Sequence, residues 1–583
     1  MQTASGHSSQ TAVEKRLIVG GVDQSFDSRT TDAIGPWCFF NAEDVVEGWE
    51  ELLFETAYTD TDILYRDARE IREFAESLAV HLTATFNARH GKRFSPDFWQ
   101  IILLPWVYKI SEMVWKRFKE VLAFIENRGH TPYVVMISGS DPKWRFGDVL
   151  DMHTRIVNTV SFNYWLTSQI VRRVAPAHWR LEIDSEPISV PRHLDPVQSS
   201  RSRIKRLLAD VFFGGRCRRV VGIRSMSFPI SLALSLFPAK VPWRFNPPED
   251  FSIVRKNFSE AYVELVLDML WKLVPQSLSA EFDTHLATAS QYPIKPGKIN
   301  LVGPCLVFNE AEKFRCALAS ENGELIVCTQ HGGSGIQKIN GCSAIVENKR
   351  DAYLSWGWTA QEDDEGRIIS LPAPALTHWR DRHSETEPTM YLVGQSMRVF
   401  AHRLETTHQS TQTIGYRQDK ARFLACLPDS LRGQLYLRPY PDEISGLDEV
   451  GYFKDRFPWL RIFDGPGKEF HDALMRARLL VVDQYGSVFV SAMVANMPII
   501  SFADPKIWPV SKQAVPVFSR FEDMGIIQPS PDAAAAKVAE VWDDIDDWWR
   551  RDEVQGARMA FCNQFARTSR LWPIHWLKAL WRL

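Results

Sequence analysis

Short apolar runs alternate with helical patterns along the second half of the chain, and this alternation constrains the fold more than any other feature. Runs of this length that are rich in Val, Ile and Leu predict buried strands. Strands that alternate with helices form open parallel sheets with right-handed crossovers. The predicted strands are Asn300–Phe308, Glu324–Thr329, Met390–Ser396, Gln434–Arg438, Leu479–Asp483 and Pro498–Phe502.

The first half of the chain carries the same signals with longer helical patterns between them. The runs RLIVGGV at 16–22 and TPYVVMIS at 131–138 predict buried strands, and Arg218–Ile223 predicts another. The apolar stretch Asp97–Asn127 predicts a mostly buried helix that Pro105 kinks or divides. The chain is therefore expected to be an α/β protein of two Rossmann-like domains that face a cleft, with a helix-rich N-terminal half.

The domain limits are predicted from the length of the chain and from one segment rich in proline and glycine. A chain of 583 residues should contain at least two domains. Two prolines and a glycine near 290–298 lie between periodic segments and predict a boundary there. We expect a disordered polar tail at 1–15, Rossmann-like domains at 16–295 and 296–570, and an amphipathic helix at 571–583.

Composition narrows the class of protein. The chain has 68 Lys and Arg against 71 Asp and Glu, a net charge of -3, which argues against nucleic acid as the main partner. The eight cysteines include no CxxC pair, which disfavours metal fingers and a disulfide framework. The uncharged stretch Met226–Ala239 is shorter than the roughly 20 residues that cross a bilayer. We therefore expect a cytoplasmic protein.

The first candidate motif, QHGGSG, directly follows the predicted strand Glu324–Thr329. Glycines at 332 and 333 let the main chain approach a ligand closely, and successive N–H groups bind anions. His331 could donate to a phosphate or carboxylate, or transfer a proton. The alternative is a tight strand–helix turn with a capping histidine.

A pair of carboxylates, Glu347 and Asp351, precedes the segment YLSWGW at 353–358. One helical turn would align the two carboxylates, and either could act as a base or hold a ligand hydroxyl. The alternative is a solvated helix face beside Lys349 and Arg350.

An arginine, Arg438, ends a predicted strand just before Pro439. A guanidinium at a strand end can bind a diphosphate or carboxylate with two parallel hydrogen bonds. The alternative is a salt bridge between domains.

The fourth candidate begins at Asp483, where another predicted strand ends. The helical run that starts near Ser487 and ends at Asn496-Met497-Pro498 follows it. The N–H groups of a helix N-terminus bind phosphate, and the Ser487 hydroxyl could assist. The alternative is an ordinary βαβ unit with Ser487 as the N-cap.

Taken together, these motifs resemble a family of transferases encoded in bacterial O-antigen and surface-polysaccharide gene clusters. The resemblance spans residues 15–580, and its specific part is the block from QHGG to WGW. The helix segment Phe98-Trp99-Gln100 … Leu104-Pro105-Trp106 resembles the aromatic YW…GPW helix of that family. One departure is Ser491, which stands where such enzymes carry an acidic residue that holds a ribose. The matching residues are Gln330-His331-Gly332-Gly333, Glu347, Asp351-x-Tyr353-x-Ser355-Trp356-Gly357-Trp358, Arg438-x-Tyr440-Pro441, Asp483, Ser487 and Asn496-x-Pro498.

The resemblance implies a GT-B-like, metal-independent glycosyltransferase whose co-substrate is a nucleotide sugar and which uses no other cofactor. Residues 16–295 would bind a glycan or lipid-linked acceptor, and 296–570 would bind the nucleotide sugar. A CMP-linked acidic sugar is one donor that the sequence leaves open. The donor-binding candidates are Gln330, Gly332, Gly333, Arg438, Asp483 and Ser487; the catalytic candidates are His331, Glu347 and Asp351.

Two other functions remain open. A sugar-nucleotide epimerase or phosphotransferase could use the same scaffold, and a non-catalytic glycan-binding or scaffold protein of polysaccharide assembly could share the motifs. The C-terminal segment 571–583, LWPIHWLKALWRL, predicts an amphipathic helix that either lies on the inner membrane or packs back on the N-terminal domain.

Overall fold

A computed structural model of the protein describes most of the chain. The predicted tail at 1–15 lies largely outside the described residues, as do Met226–Ala239, much of the predicted boundary segment and Pro441. The described residues are 14–39, 42, 46–190, 220–221, 247–291, 299–303, 306–360, 366–395, 398, 400–440 and 447–583.

Three parallel β-sheets form the framework of the described residues, and every strand pair in them is parallel. The strand orders are β2-β1-β3-β4, then β5-β6-β7-β8-β9, then β12-β11-β10-β13-β14. The strands are β1 Lys15–Ile18, β2 Thr31–Ala33, β3 Tyr133–Ser138, β4 Arg180–Asp184, β5 Val220–Val221, β6 Ile299–Val302, β7 Leu325–Thr329, β8 Ala352–Ser355, β9 Ile368–Ser370, β10 Glu387–Val393, β11 Leu435–Arg438, β12 Arg461–Ile462, β13 Ala477–Val482 and β14 Ile499–Ser501.

Helices connect and cover these sheets. The α/β class and the helix-rich N-terminal half are thereby confirmed. The described α-helices of seven or more residues are α1 Thr61–His81, α2 Thr83–His90, α3 Pro96–Arg128, α4 Val160–Val174, α5 Glu260–Lys272, α6 Phe282–Ser290, α7 Glu310–Glu321, α8 Cys342–Asn348, α9 Gln412–Cys426, α10 Glu449–Arg456, α11 Gly467–Leu474, α12 Ser487–Ala495, α13 Val515–Asp523, α14 Pro531–Val541, α15 Asp552–Phe565 and α16 Trp572–Trp581.

Helix α3 is the longest element and runs without a break through Pro105. The side chain of Ser95 caps its N-terminus by accepting a hydrogen bond from the Phe98 N–H at 3.2 Å, and Pro96 occupies the first turn. Most of its side chains are buried because α3 packs against several helices of the N-terminal half. Of the two outcomes predicted for Pro105, a kink or a division, division of the helix does not occur.

The third sheet has the doubly wound order of a Rossmann fold. In chain order its strands run 3-2-1-4-5, so the direction of winding reverses between β10 and β13. Ligands of open α/β sheets bind in the crevice beyond the carboxyl ends of the strands at such a reversal. The strand order thus indicates that a ligand would bind beside the segments that follow β10 and β13.

The C-terminal helix α16 packs on the second sheet. Trp572, Trp576 and Leu580 form a hydrophobic cluster with strand residues such as Leu301 and Val327. The indole Nε1 of Trp576 also donates a hydrogen bond to the Pro372 carbonyl at 2.8 Å. In the second sheet, β5 pairs with β6, and these two strands lie on either side of the boundary expected near residue 295. The domain limits stay predictions.

Within the described residues, no helix combines the length and the apolar character needed to span a bilayer.

Candidate functional site

A cavity of about 480 Å³ lies where the second and third sheets meet. The segment after β7 contributes His331 and Gly333 to its wall. The segments after β10 and β13 contribute Gln395 and Ser487, and the last residue of β11 contributes Arg438. The carboxyl ends of two parallel sheets therefore open onto one cleft, and the cleft includes the reversal point of the third sheet.

Gln330 folds the QHGGSG turn into a defined shape. Its side-chain nitrogen donates to the carbonyls of Gly332 at 3.0 Å and Ser334 at 2.8 Å. Its oxygen accepts from the Trp356 N–H and from the Trp358 indole N–H, both at 2.7 Å. Because Gln330 is buried, these four bonds tie the turn to the WGW segment. The hydrogen bonds of Gln330 thus give a structural reason for the distance in sequence between QHGGSG and WGW.

The glycines of this turn allow the second sheet to approach the third. A Cβ on Gly333 would lie 2.9 Å from the Tyr485 carbonyl oxygen, which is closer than real Cβ atoms come. Gly332 has a φ of 68° and faces the Ser487 hydroxyl. A side chain at 333 would push the two loops apart, and one at 332 would strain the backbone.

The N-terminus of helix α12 points into the cavity. Gly486, Ser487 and Val488 all line the wall. Gly486 occupies the N-cap, so Ser487 is the first helical residue and not the cap that the alternative reading suggested. The first N–H groups of a helix have no partner within it and favour an anion.

Arg438 lies at the end of β11 beside this helix N-terminus. Its Nη1 donates to the Phe463 carbonyl at 3.0 Å, and its guanidinium lies over the Phe470 ring at 5.2 Å. These contacts hold a buried cation at the cavity wall; burial lowers the pKa of Arg438. Tyr440, 44% exposed, lines the same wall and presents an aromatic ring.

Asp483 lies behind the wall and does not line the cavity. Its Oδ1 accepts a hydrogen bond from the Tyr416 hydroxyl at 2.7 Å, and that hydroxyl accepts from the Gln395 N–H at 2.8 Å. Burial raises the pKa of Asp483 to about 7, opposed by the nearby Lys420 ammonium. Asp483 is thus placed to support the segment after β10.

The two carboxylates proposed as bases are also outside the cavity wall. Helix α8 ends at Asn348, so Glu347 and Asp351 do not share a helical turn. Glu347 is buried, and burial raises its pKa well above the usual range. Asp351 accepts from the Ile326 N–H at 2.6 Å and so fastens β7 to the start of β8. Of the three catalytic candidates, His331 is the one on the cavity wall.

The cavity wall also holds ionisable residues that the sequence did not single out, namely Lys109, Arg403, Glu405 and His471. Lys109 lies inside an apolar helix pattern, and Arg403 and Glu405 lie in an irregular segment. Burying a lysine within an apolar helix costs free energy, so the sequence alone could have marked Lys109 as a candidate functional residue. Nothing in the local sequence marks the other three.

No group of three or more His, Cys, Asp or Glu side chains among the described residues is arranged to hold a metal ion. Metal independence stays a prediction.

Comparison with known proteins finds one family model that matches and several solved structures of low similarity. No curated protein matches the sequence. The structure of TarM is 11% identical over 49% of this chain and 55% of TarM, with a TM-score of 0.32. The UDP-forming α,α-trehalose-phosphate synthase from Burkholderia xenovorans is 9% identical over 55% of this chain and 79% of that enzyme, with a TM-score of 0.32. MurG from Acinetobacter baumannii is 8% identical over 52% of this chain and 77% of MurG, with a TM-score of 0.29.

The family model that matches is described as LIC12162 family transferase, and it covers residues 15–580. That range includes every motif on which the resemblance was based. The chain belongs to the LIC12162 family of transferases.

Proposed function

We propose that the protein is a glycosyltransferase that moves a sugar from a nucleotide-activated donor to a surface-polysaccharide or O-antigen acceptor, such as a lipid-linked glycan of lipopolysaccharide synthesis. The observation that carries the proposal is the cavity shared by Arg438 and the N-terminus of α12, at the reversal point of a Rossmann-type sheet. A buried guanidinium beside free helix N–H groups suits a phosphate-bearing leaving group.

The donor's phosphate would lie between Arg438 and the N–H groups of Ser487 and Val488. These groups would stabilise the negative charge that develops as the sugar–phosphate bond breaks. The glycine turn at 332–333 would complete the wall without a side chain in the way. Tyr440 offers its ring for stacking against the nucleobase or the sugar.

The acceptor hydroxyl needs a base, and His331 is the candidate with access to the cavity. Its imidazole would take the hydroxyl proton while the acceptor oxygen attacks the anomeric carbon. Glu347 and Asp351, placed behind the wall, would act as supports for the turn and for β8. If the donor is a CMP-linked acidic sugar, His331 and Arg438 would also meet its carboxylate.

A nucleotide screen tests the donor site. Calorimetry with CMP, CDP, UDP, GDP and dTDP should find one nucleotide family that binds. Arg438→Gln should weaken that binding at least about tenfold, since it removes a charged hydrogen bond. Arg461→Gln, an exposed position on the neighbouring strand β12, is the matched control. Binding of no nucleotide would favour the non-catalytic scaffold function.

A second assay distinguishes a glycosyltransferase from the two alternative enzymes, an epimerase and a phosphotransferase. An epimerase converts its sugar nucleotide without an acceptor, and a phosphotransferase leaves the nucleotide on a different product. Mass spectrometry of the donor incubated with and without a membrane extract distinguishes these outcomes. We expect the sugar to leave the nucleotide rapidly only when acceptor is present.

A further inference from the structure

Glu405 is a charged group on the cavity wall that the proposed transfer does not use. In the described part of the chain it is the one carboxylate that lines the cavity. Its side chain is 17% exposed, so part of its surface stays accessible. Thr406 and Thr407, which follow it in the chain, line the same wall. The stretch 405–407 therefore faces any ligand that the cavity holds.

Hydrogen bonds on both sides of Glu405 hold its main chain in place. The Leu404 N–H donates to Glu112 Oε1 of α3 at 2.7 Å. The Thr406 N–H donates to the Ile339 carbonyl at 3.1 Å, and Thr406 Oγ1 accepts from the Ile339 N–H at 3.0 Å. The carboxylate is thus preorganised at the wall, which reduces the entropy cost of binding a ligand there.

A glycine on the same wall leaves room for the carboxylate. Gly341 directly precedes α8 with φ and ψ of -74° and 167°, an extended conformation that any residue adopts. A Cβ at this position would overlap Glu405 Oε2, closer than real Cβ atoms come. The backbone therefore does not require a glycine at 341, whereas the position of the Glu405 carboxylate does.

Neighbouring cations keep Glu405 ionised. Burial acts to raise its pKa, but the charges of Arg403 and Lys109 outweigh burial and lower the pKa of Glu405 below its usual value. Arg403 Nη1 donates to Glu405 Oε1 at 2.6 Å. An ionised carboxylate has about four acceptor sites and no proton to give, so this one bond leaves sites for a ligand. Its low basicity suits binding of a hydroxyl better than removal of the hydroxyl proton.

We propose that Glu405 is a specificity-determining residue that accepts hydrogen bonds from sugar hydroxyl groups in the cavity and selects a neutral sugar over an acidic one. This inference rests on the proposed function in one respect, the identification of the ligand as a sugar substrate. Hydroxyl groups bind a charged acceptor more strongly than a neutral one, whereas a ligand carboxylate beside Glu405 would be repelled. The neutral sugar belongs to the donor or to the acceptor; if the donor sugar is acidic, it belongs to the acceptor.

Saturation-transfer NMR on the full chain tests this selection with free sugars as probes. The neutral probes are glucose, galactose and mannose. The acidic probes are glucuronate, galacturonate and mannuronate, in which a carboxylate replaces the hydroxymethyl group. We expect the wild type to bind at least one neutral probe more tightly than its acidic counterpart. Binding of no neutral probe would contradict the proposal.

Competition then identifies the source of the sugar. The titration is repeated with the nucleotide found in the screen and with a nucleotide sugar of the same base. A probe displaced by the nucleotide sugar alone occupies the donor's sugar position, and a probe that binds alongside both occupies the acceptor's. Displacement by the nucleotide itself would place the probe on the leaving group's site and refute the proposal. If no nucleotide binds, selection that depends on Glu405 still stands, although the proposed function has failed.

Variants of Glu405 separate selection from structural support. Glu405→Gln removes the charge but keeps the size and an acceptor, so it should weaken the neutral probe and tighten the acidic one. The ratio of the two affinities should change at least about tenfold. Glu405→Asp keeps the charge and should retain the preference of the wild type. Glu182→Gln is the matched control, because Glu182 is exposed and pairs with Arg180 at 3.3 Å on the first sheet. An affinity ratio that is equal in Glu405→Gln and Glu182→Gln would overturn the proposal.

Discussion

The side-chain oxygen of Gln330 accepts a hydrogen bond from the indole N–H of Trp358 at 2.7 Å, across 28 residues of chain. This bond joins the two most specific parts of the motif, and neither Gln330 nor Trp358 lines the cavity. The shape of the turn that carries His331 therefore depends on a residue with a supporting role.

Replacing Gln330 should cost both stability and activity. Gln330→Ala leaves the buried indole N–H of Trp358 and the part-buried N–H of Trp356 without their acceptor, at a cost of about 3 kcal/mol in the free energy of unfolding. Urea unfolding measures this cost. Gln513→Ala, whose exposed amide donates to the Thr359 carbonyl, should change stability by less than about 0.5 kcal/mol. Equal stability of the two variants would show that the Gln330 bonds contribute little.

Two glycines with similar positive φ angles give a matched test of the contact with Trp358. Gly335 and Gly323 have φ values of 88° and 76°. An added Cβ would lie 2.5 Å from the Trp358 ring at Gly335, whereas nothing lies within 4 Å of it at Gly323. Gly323→Ala should cost about 1 kcal/mol through backbone strain alone. Gly335→Ala should cost about 3 kcal/mol because overpacking adds to the strain.

Thermal or urea unfolding of both alanine variants checks this difference. Similar losses at the two positions would mean that the Trp358 ring can move aside. Nucleotide affinity measured on Gly335→Ala then reports whether the shape of the turn affects the donor site.

Strands buried on both faces were predictable because their apolar runs are continuous. The runs that become β7, β10, β11 and β13 were placed to within a few residues. β4 was missed because it is an edge strand with mostly polar, partly exposed side chains, which leave no apolar run. β8 was missed since only three residues separate its four residues from the helical pattern before it.

The candidate site was predictable only where its residues follow strands. His331, Arg438 and Ser487 come directly after apolar runs, so topology brings them to one edge. Lys109 and Arg403 come from a helix and an irregular segment far apart in sequence, and only the packing of α3 against that segment makes them neighbours of the cavity. No local pattern encodes that packing.

Asp483 should make stability depend on pH. Its pKa rises from 3.8 to about 7 on folding, so between these values the folded state binds a proton that the unfolded chain has lost. Stability should therefore fall as pH rises through this window and level off above it. Asp483→Asn cannot ionise, so it should match the wild type near pH 4 and exceed it by about 4 kcal/mol near pH 8, since a pKa difference of one unit corresponds to about 1.4 kcal/mol.

Urea titrations of both proteins across this range give the difference directly. Asp472→Asn, at an exposed position on α11, controls for the loss of one charge. An Asp483→Asn variant that is less stable than the wild type at high pH would show that the carboxylate is needed in its charged form, paired with Lys420.

The C-terminal helix offers separate tests for its two faces. Trp576 is 2% exposed and packs on the second sheet, whereas Leu571, Ile574 and Trp581 are 59%, 48% and 57% exposed. Trp576→Ala should cost about 3 to 5 kcal/mol in unfolding free energy because it empties a buried site. Trp581→Ala should cost less than about 1 kcal/mol.

The exposed face of 571–583 is available for the predicted membrane contact, because the other face packs on the second sheet. The triple variant Leu571→Ser, Ile574→Ser and Trp581→Ser should not cosediment with anionic vesicles, since an interfacial helix binds through its apolar face. Its unfolding temperature should be nearly unchanged. Deletion of the whole segment would also uncover the second sheet, so substitutions isolate the surface effect. Cosedimentation that is equal in the wild type and the triple variant would remove this helix as a membrane anchor and leave it a purely structural element.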